Sequence, residues 1–149
     1  MTRVVVAASV GLAATVGCGG NGLDDWEPGR PRIDTVVFLS QAPDQPFSLG
    51  FSLRVTDSDG DLGLGTLGLD IAGRDVSQLS VDKIYAAQTP TVALNATQAQ
   101  LEIAVDVSKN VAAGDTVDFG FQLTDRQGNV SNHPTIRLKA VAPAAKGGS

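Results

Sequence analysis

The 149-residue chain has few of the residues that most often carry chemistry: one cysteine, one histidine, one methionine, one tryptophan and one tyrosine. With Cys18 alone, no intrachain disulfide can form and no zinc site of the usual four-ligand type can be assembled, so packing must hold the fold together. Aromatic residues make up only 5%. The core is therefore mostly aliphatic, with Phe47, Phe51, Phe119 and Phe121 as its bulkiest candidates. No basic stretch exceeds a single residue, and the formal charge is −5. Such a surface repels phosphate backbones, which argues against nucleic-acid binding. Gly-x-Ser-x-Gly is absent. The one histidine, His133, precedes Pro134 at an expected strand start, with no sequence-marked Ser or Cys nucleophile to pair with it, so a His-based catalytic site is not expected. Composition permits the paired carboxylates of glycoside chemistry, but here they cluster in turns and on wet strand faces, and the domain is small for a sugar cleft.

What is present begins with a leader. Met1-Thr2-Arg3 supplies a positive start, and Val4 to Val16 runs without a charge. That run fits a secretory signal and falls short of the roughly 20 residues needed to span a bilayer. Gly17-Cys18-Gly19-Gly20 follows at once. Val16-Gly17-Cys18 resembles the end of a bacterial lipoprotein signal peptide. The resemblance implies that Cys18 is diacylated on sulfur and becomes the mature N-terminus. Thr15 stands where that family usually has Leu, and Thr15-Val16-Gly17 also suits an ordinary signal peptidase, which leaves a secreted, unlipidated module as an alternative. A buried free cysteine in an apolar N-terminal strand is the plainer reading; Arg3, the uncharged run and the glycines after Cys18 weigh against it. Removing Arg3 with the leader takes the formal charge to −6. Gly19 is not the Asp that this resemblance links to inner-membrane retention, which points toward the outer membrane. Residues 18–31 are rich in Gly, Pro and charge, the composition of a flexible tether with a reach of roughly 20 Å.

From Arg32 the hydrophobic period is two. Phe47, Leu49, Phe51, Leu53 and Val55 alternate with small or polar residues, as do Leu101, Ile103, Val105 and Val107, and Val117, Phe119, Phe121 and Leu123. Each run predicts a strand with one wet face. Weaker strands are expected at Ile33–Leu39, Leu67–Ile71, Val76–Val81 and Thr135–Val141, and no stretch of the mature part carries a strong helical period. Six to eight such strands predict an all-β, antiparallel two-sheet sandwich over residues 32–142, followed by a disordered tail over 143–149. Asp125-Arg126-Gln127-Gly128-Asn129 reads as a tight turn with Gly128 free to take a positive φ. Leu123 to Ser131, with its Asp-x-x-Gly-Asn-x-Ser string, resembles the last hairpin of bacterial immunoglobulin-like modules. That likeness implies an immunoglobulin-like architecture and is silent on activity.

The densest chemical signal is Asp57-Ser58-Asp59-Gly60-Asp61. Carboxylates at alternate positions of a tight loop resemble calcium loops, because calcium takes six to eight oxygens at about 2.4 Å. The loop is not an EF-hand, since Leu62 and Gly68 stand where that motif has Gly and Glu. The alternative is a solvated acidic turn, favoured for local reasons after a strand. In an immunoglobulin-like sandwich the second strand, Phe47–Val55, and the sixth, Val117–Leu123, run the same way. The loops leaving them should share one pole, so Asp125 and Asn129 join Asp57, Asp59 and Asp61 as candidate ligands of a weak calcium site. Gly63-Leu64-Gly65-Thr66-Leu67-Gly68 matches G-x-G-x-x-G, but alternation resumes where a helix is required, and the three aspartates would repel pyrophosphate. Those glycines are expected to shape a loop and open a strand. Asn95-Ala96-Thr97 and Asn129-Val130-Ser131 match the N-glycosylation acceptor, a chance match in a bacterial lipoprotein.

Together these features predict a non-enzymatic cell-envelope lipoprotein. It would be held to the membrane through Cys18 and used for binding an envelope protein or glycan, or for structure. The rival from another class is a small envelope hydrolase or glycan-processing accessory enzyme. A cleft lined with carboxylates on strand faces would favour the enzyme, and acidic groups confined to loop ends would favour the binding module.

Overall fold

The computed structural model describes residues 27–42 and 45–140. The leader, Cys18, the first part of the tether and the C-terminal tail lie outside the described residues. Among the described residues seven strands form: β1 (Arg32–Ala42), β2 (Gln45–Thr56), β3 (Thr66–Ile71), β4 (Arg74–Ser80), β5 (Gln98–Asp106), β6 (Thr116–Thr124) and β7 (Thr135–Lys139). They make two antiparallel sheets, one of order β1-β2-β5 and one of order β4-β3-β6-β7. The chain crosses between sheets after β2, after β4 and after β5. This Greek-key wiring makes the domain an immunoglobulin-like sandwich.

The period-two pattern does its work across both sheets. In β2, Leu49, Phe51, Leu53 and Val55 are buried, and their register partners in β5 are Val105, Ile103, Leu101 and Ala99. In the other sheet Leu67, Leu69 and Ile71 of β3 pair with Leu123, Phe121 and Phe119 of β6. The sheets meet at Phe51, whose ring lies 5.7 Å from that of Phe119 and 5.0 Å from that of Phe121. Phe38 of β1 meets the same ring edge-on at 5.9 Å. Phe47, expected inside, is only half-buried. It lies near the start of β2, and its carbonyl accepts from the Val107 amide just past the far end of β5.

One element departs from the sequence expectation. Val81–Ala87 is an α-helix, α1, although the sequence predicts a strand over Val76–Val81 and carries no strong helical period there. Val81, Ile84 and Tyr85 are its buried residues, at spacings of three and one that put them on one helical face. Seven residues hold only this one set of contacts, too short for the period to register. Tyr85 is among the largest fully buried side chains of the domain. Just beyond the helix, Gln88 caps the open edge of β5. Its Nε2 donates to the Glu102 carbonyl and its Oε1 accepts from the Glu102 amide, each at 3.1 Å. A strand edge closed in this way is less available for pairing with another chain.

The glycine string after the acidic loop behaves as expected of a loop that opens a strand. Leu62–Leu64 form a single 3-10 turn before β3. A Cβ on Gly63 would lie 2.2 Å from the Leu94 carbonyl oxygen, and one on Gly65 would lie 2.1 Å from that of Thr124. Backbone approach, not phosphate, excludes side chains at those positions.

Phe51→Ala would remove the ring on which the two sheets close. It is expected to lower the unfolding free energy by about 3–5 kcal/mol, measured by urea denaturation. Phe47→Ala, at a half-buried position, should cost clearly less.

Candidate metal site

The register of the sheets fixes what gathers at one pole. Arg32 at the start of β1 pairs with Thr56 at the end of β2, so the chain enters the domain beside the loop that leaves β2. The 125–129 turn leaves β6 at the same end. Contact between the two loops is direct: Gln127 Nε2 donates to Asp59 Oδ2 at 3.2 Å and to Asp61 Oδ2 at 3.1 Å.

Within the acidic loop the three aspartates play unequal parts. Asp57 is 1% exposed, Asp61 is half-buried and Asp59 is exposed. The Asp57 amide donates to the Thr97 carbonyl at 2.8 Å, which pins the loop to the segment leading into β5. Asp57 Oδ2 accepts from the amides of Asp61 at 3.0 Å and Leu62 at 2.7 Å. One carboxylate oxygen thus organises the loop and starts the 3-10 turn. The other oxygen, Oδ1, is buried with no hydrogen-bond partner, and so is Asp61 Oδ1. One carboxylate oxygen from each of Asp57, Asp59 and Asp61 lies within 4.8 Å of the other two.

Three such oxygens repel. At an effective dielectric near 20, two unit charges about 5 Å apart cost roughly 3 kcal/mol, and a buried acceptor left unmet adds about 1–3 kcal/mol. The Asp57 pKa rises from 3.8 to about 6. Burial is the main cause, contact with the Asp59 carboxyl and the charges of Asp59 and Asp61 add to it, and the Leu62 amide opposes it. Beneath the loop the Tyr85 hydroxyl is pushed up to about 12, by its own burial first and then by the negative charge of Asp57. A cation among the three carboxylates would relieve both the repulsion and the unmet oxygens, and the cluster could hold one. An all-oxygen donor set selects hard ions such as calcium or magnesium over zinc or copper.

The two ligands expected from the neighbouring turn are placed differently. Asp125 is buried, and both its oxygens accept from Asn129, Oδ1 from the amide and Oδ2 from Nδ2, each at 2.8 Å. This pair closes the turn on itself, with Gly128 at φ 88° as its hinge. The turn reaches the acidic loop through Gln127, a residue with no motif to mark it. Turning the Gln127 amide about its last bond would present Oε1 to the same place. Cys18 lies outside the described residues.

His133 is exposed before β7, and its Nε2 lies 2.5 Å from Asp70 Oδ2. The other oxygen of Asp70 accepts from the Gly73 amide at 2.9 Å. No hydroxyl is hydrogen-bonded to His133 among the described residues. The pair borders a shallow groove of about 420 Å³ on the outer face of the four-stranded sheet, floored by Gly68 and lined by Thr66, Gln78, Gln122 and a second strand-borne carboxylate, Asp75.

No family model matches the chain, and no curated protein does. Among solved structures, that of the Clostridium perfringens spore cortex lytic enzyme SleM is similar at a TM-score of 0.42 and 13% identity, over 81% of this chain and 31% of that one. The chain spans about a third of the length of that protein. A likeness this distant carries no argument about activity.

The raised Asp57 pKa has a signed consequence. Its proton is held more tightly in the folded chain than in the unfolded one. The stability this supplies is complete below pH 3.8 and is lost as pH rises through about 6. Asp57→Asn keeps an oxygen for the amides of Asp61 and Leu62 and replaces the unmet oxygen with a donor. In chelator at pH 7 the variant should be more stable than the wild type by about 1–2 kcal/mol. By pH 4 the difference should vanish or reverse, as read by paired urea denaturations.

Proposed function

We propose that the protein is an exported, lipid-anchored module of the cell envelope that serves binding or structure, not catalysis, and that calcium is the ion taken by its Asp57–Asp61 pole. The observation that carries the calcium reading is the pair of buried carboxylate oxygens, Asp57 Oδ1 and Asp61 Oδ1, with no hydrogen-bond partner. A solvated acidic turn explains aspartates that face water. It does not explain one that is 1% exposed with an oxygen unmet. Gln127 Oε1, after rotation of its amide, would add a fourth oxygen, and water can complete the shell on the exposed side of Asp59.

Support for export and anchoring comes from the N-terminal sequence. Arg3, the uncharged run from Val4 to Val16 and Gly17-Cys18 together form an address and an acylation point. The acceptor would be a bacterial membrane, most readily the outer one, with an envelope protein or glycan as partner of the domain. The non-enzymatic reading is supported by where the acidic cluster lies. It is at a loop end, and the strand-borne Asp70 has both oxygens engaged, by Gly73 and by His133.

Two measurements test these statements separately. Affinity in the range of extracellular modules, about 10⁻⁴–10⁻³ M, predicts that about 10 mM calcium stabilises the domain by roughly 1.4–2.7 kcal/mol. The melting temperature should rise by about 5–10 °C in calorimetry. A chelator should reverse the rise and Asp59→Ala should abolish it; an unchanged melting temperature would reduce the loop to an acidic turn. Mass spectrometry of the native protein should find Cys18 as a lipid-bearing N-terminus, and Cys18→Ser should leave the chain unprocessed or move it to the soluble fraction. Cleavage before Cys18 without lipid would establish the secreted form instead.

A further inference from the structure

The segment that leads into β1 is seated on the same pole. The Gly29 amide donates to Ser58 Oγ at 2.9 Å, and the Gly29 carbonyl accepts from Asn129 Nδ2 at 3.2 Å. Ser58 lies between Asp57 and Asp59 in the acidic loop, and Asn129 belongs to the turn whose Gln127 reaches Asp59 and Asp61. Gly29 passes close to the cluster itself: a Cβ built on it would lie 3.4 Å from Asp59 Oδ2. Its φ of 83° is a left-handed conformation that favours glycine. Two residues on, Pro31 is buried, and the Ile33 amide and carbonyl are both held by the Asn132 side chain at 2.8 Å.

We propose that cation binding at the Asp57–Asp61 loop is coupled to docking of the Glu27–Pro31 segment, so that calcium sets whether the domain is held at a fixed attitude to the chain before it or swings from it. This rests on the calcium reading of the same loop and adds what the ion does. The loop is the element with two conditions. Without a cation the three carboxylates repel, two buried oxygens are unmet, and Ser58 is carried on a backbone with reason to shift. With a cation, Asp57, Asp59 and Asp61 are drawn to one point, which fixes Ser58 between them. Gln127, with Oε1 turned onto the ion, holds the 125–129 turn to the same point and with it Asn129. Gly29 then has both partners in place at once, and the segment docks. Where the preceding chain leads to a lipid on Cys18, the device would convert a loosely tethered domain into one presented in a set direction.

Linkage makes the coupling reciprocal: if calcium favours docking, docking favours calcium by the same factor. One hydrogen bond of ordinary strength, such as that from the Gly29 amide to Ser58 Oγ, corresponds to a factor of about three to ten. Two substitutions loosen docking without touching a carboxylate. Ser58→Ala removes the acceptor for the Gly29 amide. Gly29→Pro removes that amide and cannot adopt the left-handed φ.

The test uses the full chain, with Trp26 as its sole tryptophan three residues before Gly29. Calcium chloride is titrated while Trp26 fluorescence anisotropy, the melting temperature and the exchange rate of the Gly29 amide are followed together. The expected result is that anisotropy rises and Gly29 exchange slows over the concentration range in which the melting temperature rises. Ser58→Ala and Gly29→Pro, with circular dichroism spectra matching the wild type, should weaken calcium affinity three- to tenfold and lose most of the anisotropy change. If calcium raises the melting temperature while Trp26 anisotropy and Gly29 exchange stay constant, or if both variants bind calcium as the wild type does, the coupling is overturned and the calcium site stands. If calcium produces neither a heat of binding nor a rise in melting temperature, both fall together.

Discussion

Phe51 projects from the three-stranded sheet onto Phe119 and Phe121 of the four-stranded sheet, and the rest of the molecule is arranged about that contact. Three rings and the aliphatic side chains around them fix how the two sheets lie on each other. With that relation set, the end of β2 and the end of β6 fall at one pole, and antiparallel pairing with β2 brings the start of β1 there too. Three segments remote in sequence, around Gly29, Asp57 and Asn129, then hydrogen-bond to one another. None of them is near another in the chain, so their meeting depends on how the core packs.

Asp57 shows what that pole demands. A carboxylate at 1% exposure is costly unless its oxygens are met. Half of the demand is local. Oδ2 receives two amides and turns the chain into the crossing between sheets, where Leu62 is fully buried. An asparagine could do that as well. The other half, Oδ1 beside an equally unmet Asp61 oxygen, is not explained by loop closure. Capping accounts for one oxygen of Asp57, and a cation or a bound proton would meet the second. The two choices have opposite dependence on pH, since a proton is favoured below pH 6 and a cation above it.

Much of the fold was legible because strands with one wet face write their geometry into the chain every second residue. Phe51, Leu53, Leu101, Phe119 and Leu123 follow that rule and are all buried. Helix α1 escaped because a single buried cluster, Val81, Ile84 and Tyr85, does not make a period. Phe47 escaped because alternation says which face a residue is on and not how far the opposite sheet extends over it. The acidic loop could be read from its spacing alone, since Asp57, Asp59 and Asp61 are neighbours under any fold. The contribution of the other turn could not be read in the same way. Asp125 and Asn129 looked like oxygen ligands by type, yet their spacing of four lets them satisfy each other across a tight turn, and Gln127 at its tip reaches the cluster instead.

The sequence by itself determined the two-sheet β character and the acidic loop, because each is written in residues close together along the chain. Tertiary structure alone decided which aspartate is buried, that Gln127 reaches two carboxylates, and that Gly29 docks between Ser58 and Asn129. Those facts depend on distances between segments about 30 to 100 residues apart. Local patterning specifies which way each side chain faces; only the packing of one sheet on the other specifies what it faces.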